Sequence, residues 1–149
     1  MADTQAEPRL LFPQLRSFYD CAQPWAWVII RVVCGWNLLI HGWGKVSRGP
    51  QAFAKAFADM GFDSMVWVWG ALAIEFVGGI ALIVGLFTRF FAAAAAIEMA
   101  IIMALYWSNG FGWLSRGYEY VLLWGAVCLA IALRGGGPYS LDRAFGKEL

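Results

Sequence analysis

Four long runs of apolar residues divide the chain, and each is close to the length of a membrane-spanning helix. A bilayer core about 30 Å thick requires roughly 20 helical residues. Pro24 suits an opening helical turn, and glycines from Gly135 onward end the last run. The pattern predicts an all-α fold, a four-transmembrane-helix bundle. The predicted helices cover residues 24–45, 64–87, 88–107 and 113–133, with Tyr118 as an alternative start for the last.

The connection between the first two runs has its own pattern. Phe53, Phe57 and Met60 recur at helical spacing, whereas Lys55 and Asp59 fall on other faces. This spacing predicts a short amphipathic helix at the membrane interface, between helices 1 and 2. The predicted organisation has three parts: a polar amino-terminal segment (1–23), a transmembrane domain (24–134) and a carboxy-terminal tail (135–149).

Composition agrees with a membrane protein. Of the 149 residues, 61% are hydrophobic and 14% are charged, whereas soluble domains carry about 25% charged residues. The formal net charge of +1 gives no electrostatic footprint for nucleic acid, so the expected surroundings are a lipid bilayer. The first twenty residues lack the basic-then-apolar order of a signal peptide. We therefore expect the first apolar run to remain in the mature protein.

Lysine and arginine are distributed unequally between the two ends of the predicted bundle. An even number of spans places both termini on one side. That side carries six basic residues and the other carries four, which favours cytoplasmic termini. The six are Arg9, Arg16, Arg89, Arg134, Arg143 and Lys147; the four are Lys45, Arg48, Lys55 and Arg116.

A polar stripe follows one face of the first predicted helix. Arg31, Asn37, His41 and Lys45 fall within an arc of roughly 120° at about 100° per residue. An ionised side chain at mid-bilayer costs about 2.5–3.5 kcal/mol on insertion scales, so the stripe is expected to face the bundle interior.

Glutamates on the other three helices are the candidate partners of this stripe. Depth along the helices sorts the charges into two layers. Glycines beside Glu75 would let a neighbouring helix approach closely. We therefore expect a midplane cluster of Arg31, Glu75 and Glu98, a membrane-surface cluster of His41, Lys45 and Glu119, and close helix packing at Gly78 and Gly79.

His41 is also the candidate ligand for a quinone. Flanked by Trp36 and Trp43, its imidazole could hydrogen-bond a quinone carbonyl and titrate near neutral pH. The alternative is a structural histidine bonded to Glu119 or to a backbone carbonyl. No covalent cofactor and no metal site are expected, because there is one histidine and no CxxC pair.

Two further segments have structural interpretations. Cys34 and Cys128 lie in apolar runs, and the pattern favours buried, inert thiols. After the last run, GGGPYSLDR is interpreted as a helix stop and a turn. There Ser140 and Asp142 form a tail turn, with Asp142 meeting Arg89 at the same membrane surface.

Five pieces of sequence in order resemble the DoxX family. They are an arginine in the first helix (Arg31), HGWGK, EFVGG, GLFTR and a carboxy-terminal SLD. GGGPYSLD departs from the glycine-proline-glycine form expected before that SLD. The resemblance implies a compact four-helix bundle in a bacterial cytoplasmic membrane. Carried over by position, it singles out Arg31, His41, Lys45, Glu75 and Glu119.

Family members are often labelled oxidoreductases, because related DoxD proteins resemble subunits of quinone-linked thiosulfate oxidation. For this chain the resemblance implies a quinone- or redox-associated subunit that acts with partner proteins and does not catalyse alone. Two alternatives stay open: a non-catalytic accessory subunit of a respiratory or photosynthetic complex, and a small transporter or proton pathway. A lipid-accessible cavity at His41 and Glu119 would favour the first hypothesis, and mutually paired charges would favour the accessory subunit. The oligomeric state is left open.

Overall fold

The computed structural model describes residues 10–148, and every regular element in that part of the chain is helical. The first helix, α1, covers Arg16–Arg48 and follows a 3₁₀ turn at Pro13–Leu15. The predicted start at Pro24 is wrong, because Pro24 lies inside α1. Pro13 is the proline that opens the first turn, where a missing N–H costs no hydrogen bond. Residues 1–9 of the predicted amino-terminal segment, with Arg9, lie outside the described residues.

The second span consists of three helical pieces. Helix α3 (Met65–Leu72) leads into a π-helical segment (Ala73–Val77) and then into α4 (Gly78–Val84). The Ser64 side chain caps the start by accepting a hydrogen bond from the Val66 N–H. The helix ends before the predicted residue 87, because Gly85 adopts the left-handed conformation, with φ 74°.

The third and fourth predicted spans differ in length. Helix α5 covers Thr88–Tyr106, close to the prediction, and continues into a 3₁₀ turn. Helix α6 covers only Glu119–Arg134, which is 16 residues or about 24 Å. Within the described residues, three helical stretches are long and apolar enough to cross a membrane. They are Pro13–Arg48, Met65–Val84 and Thr88–Asn109, so the fourth span stays a prediction.

A short helix, α2 (Ala54–Asp59), occupies the connection after α1, preceded by a 3₁₀ turn at Pro50–Phe53. Phe53 and Phe57 are half-buried, whereas Lys55 and Asp59 are exposed and form an ion pair at 3.6 Å. Met60, the third apolar position of the predicted pattern, is 38% exposed and follows the end of α2, so only Phe53 and Phe57 follow that pattern. The location of α2 at a membrane interface stays a prediction.

Glycines set the distance between α1 and the second span. A Cβ atom on Gly79 would lie 2.6 Å from the Leu39 nitrogen, so only glycine permits this approach. Gly78 instead faces the Phe91 ring of α5. The two predicted packing glycines therefore contact different helices.

The long helices pack in sequence order and share one core. Helix α1 packs on the second span, α5 packs on α6, and a smaller contact joins α1 to α6. Each of the four long helical segments contributes to the buried core. Its residues are Cys34, Leu38, Leu82, Ala92, Ala95, Cys128 and Ile131.

Candidate functional site

The carboxy-terminal tail is attached to the turn between the second span and α5. Ser140 caps a short helix, α7 (Leu141–Ala144), by accepting a hydrogen bond from the Arg143 N–H. The buried Asp142 carboxylate accepts hydrogen bonds from the N–H groups of Phe87 (2.7 Å) and Thr88 (2.9 Å). Asp142 thereby satisfies amide donors at the start of α5, where the helix dipole favours negative charge.

Arg89 lies at the same surface but does not pair with Asp142, so that part of the prediction is wrong. Its guanidinium donates to the carbonyl oxygens of residues 132, 133 and 134, which end α6. It also forms an ion pair with Glu148 at 3.1 Å. Glu148 accepts a further hydrogen bond from the Gly136 N–H. Arg89 therefore ties the end of α6 to the tail.

Arg31 belongs to this same end of the molecule. Its side chain is buried, lies against Gly85 and donates to the Tyr139 carbonyl oxygen at 2.7 Å. Asp142 is close enough for a favourable charge interaction. The predicted midplane cluster is therefore wrong for Arg31, which lies apart from Glu75 and Glu98. Depth along the helices could not reveal that the tail folds back to supply the partners.

Lys45 is the basic residue that meets Glu75. Its Nζ lies 2.5 Å from a Glu75 carboxylate oxygen, and both side chains are about nine-tenths buried. Lys45 is 14 residues beyond Arg31, or about 21 Å along α1. Helix α1 runs antiparallel to the second span. Lys45 therefore reaches the π-helical segment, and Arg31 reaches Gly85, at the carboxy-terminal end of the second span. The predicted pairing of Lys45 with Glu119 is wrong.

Glu98 completes an interior cluster with this ion pair. It interacts electrostatically with both Glu75 and Lys45. One Glu98 carboxylate oxygen is buried and has no hydrogen-bond partner among residues 10–148. Ionisable groups inside membrane spans are usually functional, and π-helical segments often occur at functional sites. We call Lys45, Glu75 and Glu98 the interior cluster.

Glu119 lies in a different environment, at the start of α6. A carboxylate oxygen accepts a hydrogen bond from the Trp113 N–H at 3.2 Å. The side chain borders an open groove of about 580 Å³, which we call the aromatic groove. Its lining residues are Phe111, Trp113, Glu119, Tyr120, Leu122, Leu123 and Ala126.

His41 does not join either predicted partner. It is exposed on the outside of α1, and among the described residues it has no hydrogen-bond or ion-pair partner. Trp36 and Trp43 are also exposed, and Trp43 stacks on Phe76 with ring centroids 6.2 Å apart. The membrane-surface cluster of His41, Lys45 and Glu119 is therefore wrong, because its three side chains lie in three different places.

Comparison with known proteins identifies the family. The DoxX family model matches residues 26–108, which is more than half of the chain. The chain belongs to the DoxX family. An uncharacterized protein of Haemophilus influenzae is 32% identical over 130 residues, covering 85% of this chain and 95% of that protein. No solved structure matches.

A second relative of this DoxX chain is named for its location in the cell. The Escherichia coli inner membrane protein YqjF is 27% identical over 126 residues, covering 81% of this chain and 92% of YqjF. Together with the three long apolar helices, the family membership makes this chain a membrane protein that associates with the lipid bilayer.

The sequence missed two parts of this arrangement. Glu148 and the Tyr139 carbonyl were not candidates, because tail residues without periodicity give no signal of where they dock. The π-helical segment was also missed, although EFVGG had marked its position.

Proposed function

We propose that this chain is a quinone-binding subunit of a membrane redox complex, and that the aromatic groove holds the quinone ring. The observation that carries the proposal is the groove itself. Small-molecule sites are mostly apolar and occupy about 300–1,000 Å³, with a few polar groups that fix orientation. The groove combines flat aromatic side chains with one carboxyl group, Glu119.

Glu119 has a chemical role in this proposal. As a carboxylate it accepts a hydrogen bond from a quinol hydroxyl, and as a neutral carboxyl group it donates one to a quinone carbonyl. It therefore holds one of the two protons that a quinol releases when a partner protein removes two electrons. Electron transfer belongs to the partner.

Location and orientation are part of the same proposal. The name of the relative YqjF supports a bacterial inner membrane. Basic residues of the described tail and of the 85–89 turn lie at one end of the molecule, which supports cytoplasmic termini.

The test measures binding of decylubiquinone to the purified protein in lipid nanodiscs, by quenching of tryptophan fluorescence. Glu119→Ala removes the hydrogen bond and should weaken binding about 10- to 100-fold, because a charged-group hydrogen bond contributes about 1.5–3 kcal/mol. Glu119→Gln keeps a donor and should bind within about threefold of wild type. Trp113→Phe should remove part of the quenching.

His41→Ala is the matched control, since His41 lies outside the groove. Equal affinity of wild type and Glu119→Ala would reject the groove as the site. If neither binds and the chain co-purifies with other membrane subunits, the accessory-subunit function replaces the quinone proposal.

One observation favours a second candidate function, proton exchange through the interior cluster. The unpartnered Glu98 oxygen beside the Lys45–Glu75 pair can take up or release a proton. Proteoliposomes loaded with a pH-sensitive dye test this function. Glu98→Gln should abolish any proton flux that wild type shows, and flux equal to wild type would exclude it.

A further inference from the structure

Two of the three cysteines meet in the core, although 94 positions separate them. The Sγ atoms of Cys34 on α1 and Cys128 on α6 lie 3.4 Å apart. Both side chains are buried, with exposed fractions of 2% and 0%. A disulfide bond is about 2.05 Å long, so the sulfurs would need to approach by about 1.4 Å. The sequence predicted inert thiols, but it did not predict their contact.

The position of the pair gives this contact a structural consequence. Helix α1 packs mainly on the second span, whereas α6 packs mainly on α5. A bond between Cys34 and Cys128 would join these two helix pairs across their smaller contact. It would also close a loop of more than 90 residues, which restricts the unfolded chain.

We propose that Cys34 and Cys128 are a modification site, which hydrogen peroxide oxidises to an intramolecular disulfide. One thiolate attacks the peroxide and breaks its O–O bond, giving a sulfenic acid and, with the thiol proton, one water. The second sulfur attacks the sulfenic sulfur and displaces hydroxide, which leaves with the second thiol proton as water. Two thiols and one peroxide thus give one disulfide and two waters. Both sulfurs are oxidised, and the peroxide oxygens are reduced.

Burial determines which oxidants can react. Core side chains cover both sulfurs, so the oxidant must be small and uncharged. The reactive species is the thiolate, and apolar surroundings disfavour it, so the reaction is slower than at the exposed Cys21. Contact between the two sulfurs directs the sulfenic acid to the disulfide, because the resolving thiol is already in place.

Trypsin makes the test direct. Cleavage after Arg31, Lys45, Arg116 and Arg134 places Cys34 on peptide 32–45 and Cys128 on peptide 117–134. Detergent-purified Cys21→Ala protein is treated with hydrogen peroxide and then denatured in the presence of N-ethylmaleimide, which blocks the remaining free thiols. It is then digested and analysed by mass spectrometry. The expected product is the two peptides linked, two hydrogens lighter than their sum and separated again by dithiothreitol.

Recovery of both peptides as maleimide adducts, or as separate sulfinic acids, would overturn the proposal. Cys34→Ala and Cys128→Ala proteins, each in the Cys21→Ala background, are controls and should yield no linked peptides. Decylubiquinone is the bulky oxidant for comparison. Linkage by decylubiquinone as fast as by peroxide would overturn the assignment to a small oxidant.

Thermal unfolding supplies a second readout. The linked protein should melt at a higher temperature than the reduced protein, and peroxide should not shift the Cys34→Ala/Cys128→Ala double variant. An unchanged melting temperature for fully linked protein would overturn the idea that the bond joins the two helix pairs. Neither readout involves Glu119, so the outcome is independent of quinone binding.

Discussion

Asp142 allows the attachment of the tail to be tested quantitatively. Its buried carboxylate accepts hydrogen bonds from the Phe87 and Thr88 N–H groups and lies beside the buried Arg31 guanidinium. Asp142→Ala removes both hydrogen bonds and leaves the start of α5 without its cap. It also removes the negative charge that interacts with Arg31, whose hydrogen bond to the Tyr139 carbonyl oxygen does not depend on Asp142.

The size of the effect follows from these contacts. Hydrogen bonds to charged groups contribute about 1.5–3 kcal/mol each, and the Asp142 carboxylate accepts two of them. These terms overlap, so we expect Asp142→Ala to lower the free energy of unfolding by about 3–5 kcal/mol. Asp142→Asn keeps one acceptor oxygen and should cost about 1–2 kcal/mol. The whole free energy of unfolding of a typical domain is only about 5–15 kcal/mol.

The assay is reversible unfolding in mixed detergent micelles, followed by circular dichroism. Asp59→Ala is the control, because Asp59 is exposed and its removal should change the free energy by less than about 0.5 kcal/mol. Limited proteolysis should cleave the Asp142→Ala tail faster than the wild-type tail. A stability loss below about 0.5 kcal/mol for Asp142→Ala would refute the role of the carboxylate as a cap.

Two further predictions concern helix contacts. In a double-mutant cycle, Lys45→Met and Glu75→Gln should show a coupling of about 0.5–3 kcal/mol in the free energy of unfolding. Arg31→Leu and Glu75→Gln are the control pair, and their effects should be additive. Coupling in the control pair only would contradict the observed ion pair. Gly79→Ala should lower the unfolding free energy by about 1–3 kcal/mol, because its Cβ would collide with α1 backbone, and Gly70→Ala, with open space around it, should be close to neutral. Equal effects of the two alanines in thermal melts would argue against close packing there.

Apolar periodicity predicted the long helices well, because burial in lipid requires long uninterrupted segments. It placed Thr88–Tyr106 within one residue at each end. It failed at Pro24, since a single proline does not decide where a helix begins when an earlier proline and a continuous helical backbone are available. It left the start of the last run open between Trp113 and Tyr118, and α6 begins at Glu119, directly after the second of these residues.

The sequence predicted which charged residues lie inside the bundle, but not which of them contact each other. Arg31, Lys45 and Glu75 are buried and engaged as expected for charges in a membrane protein. Their partners depend on where the tail docks and on how α1 is aligned with the second span. These are long-range properties that the spacing of residues within one helix does not contain. His41 is a further example. It lies on the same helical face as Lys45 by spacing, but its side chain is exposed on the outside of the bundle.

The widened helical turn at Ala73–Val77 fixes the direction in which the rest of the second span faces. Winding the same residues as an ordinary α-helix would rotate everything after them by about 100°. The glycine surface of the second span would then turn away from its neighbour, and a bulky side chain would take its place. Substitutions that favour ordinary α-helical winding at this turn should therefore weaken the packing of α1 on the second span.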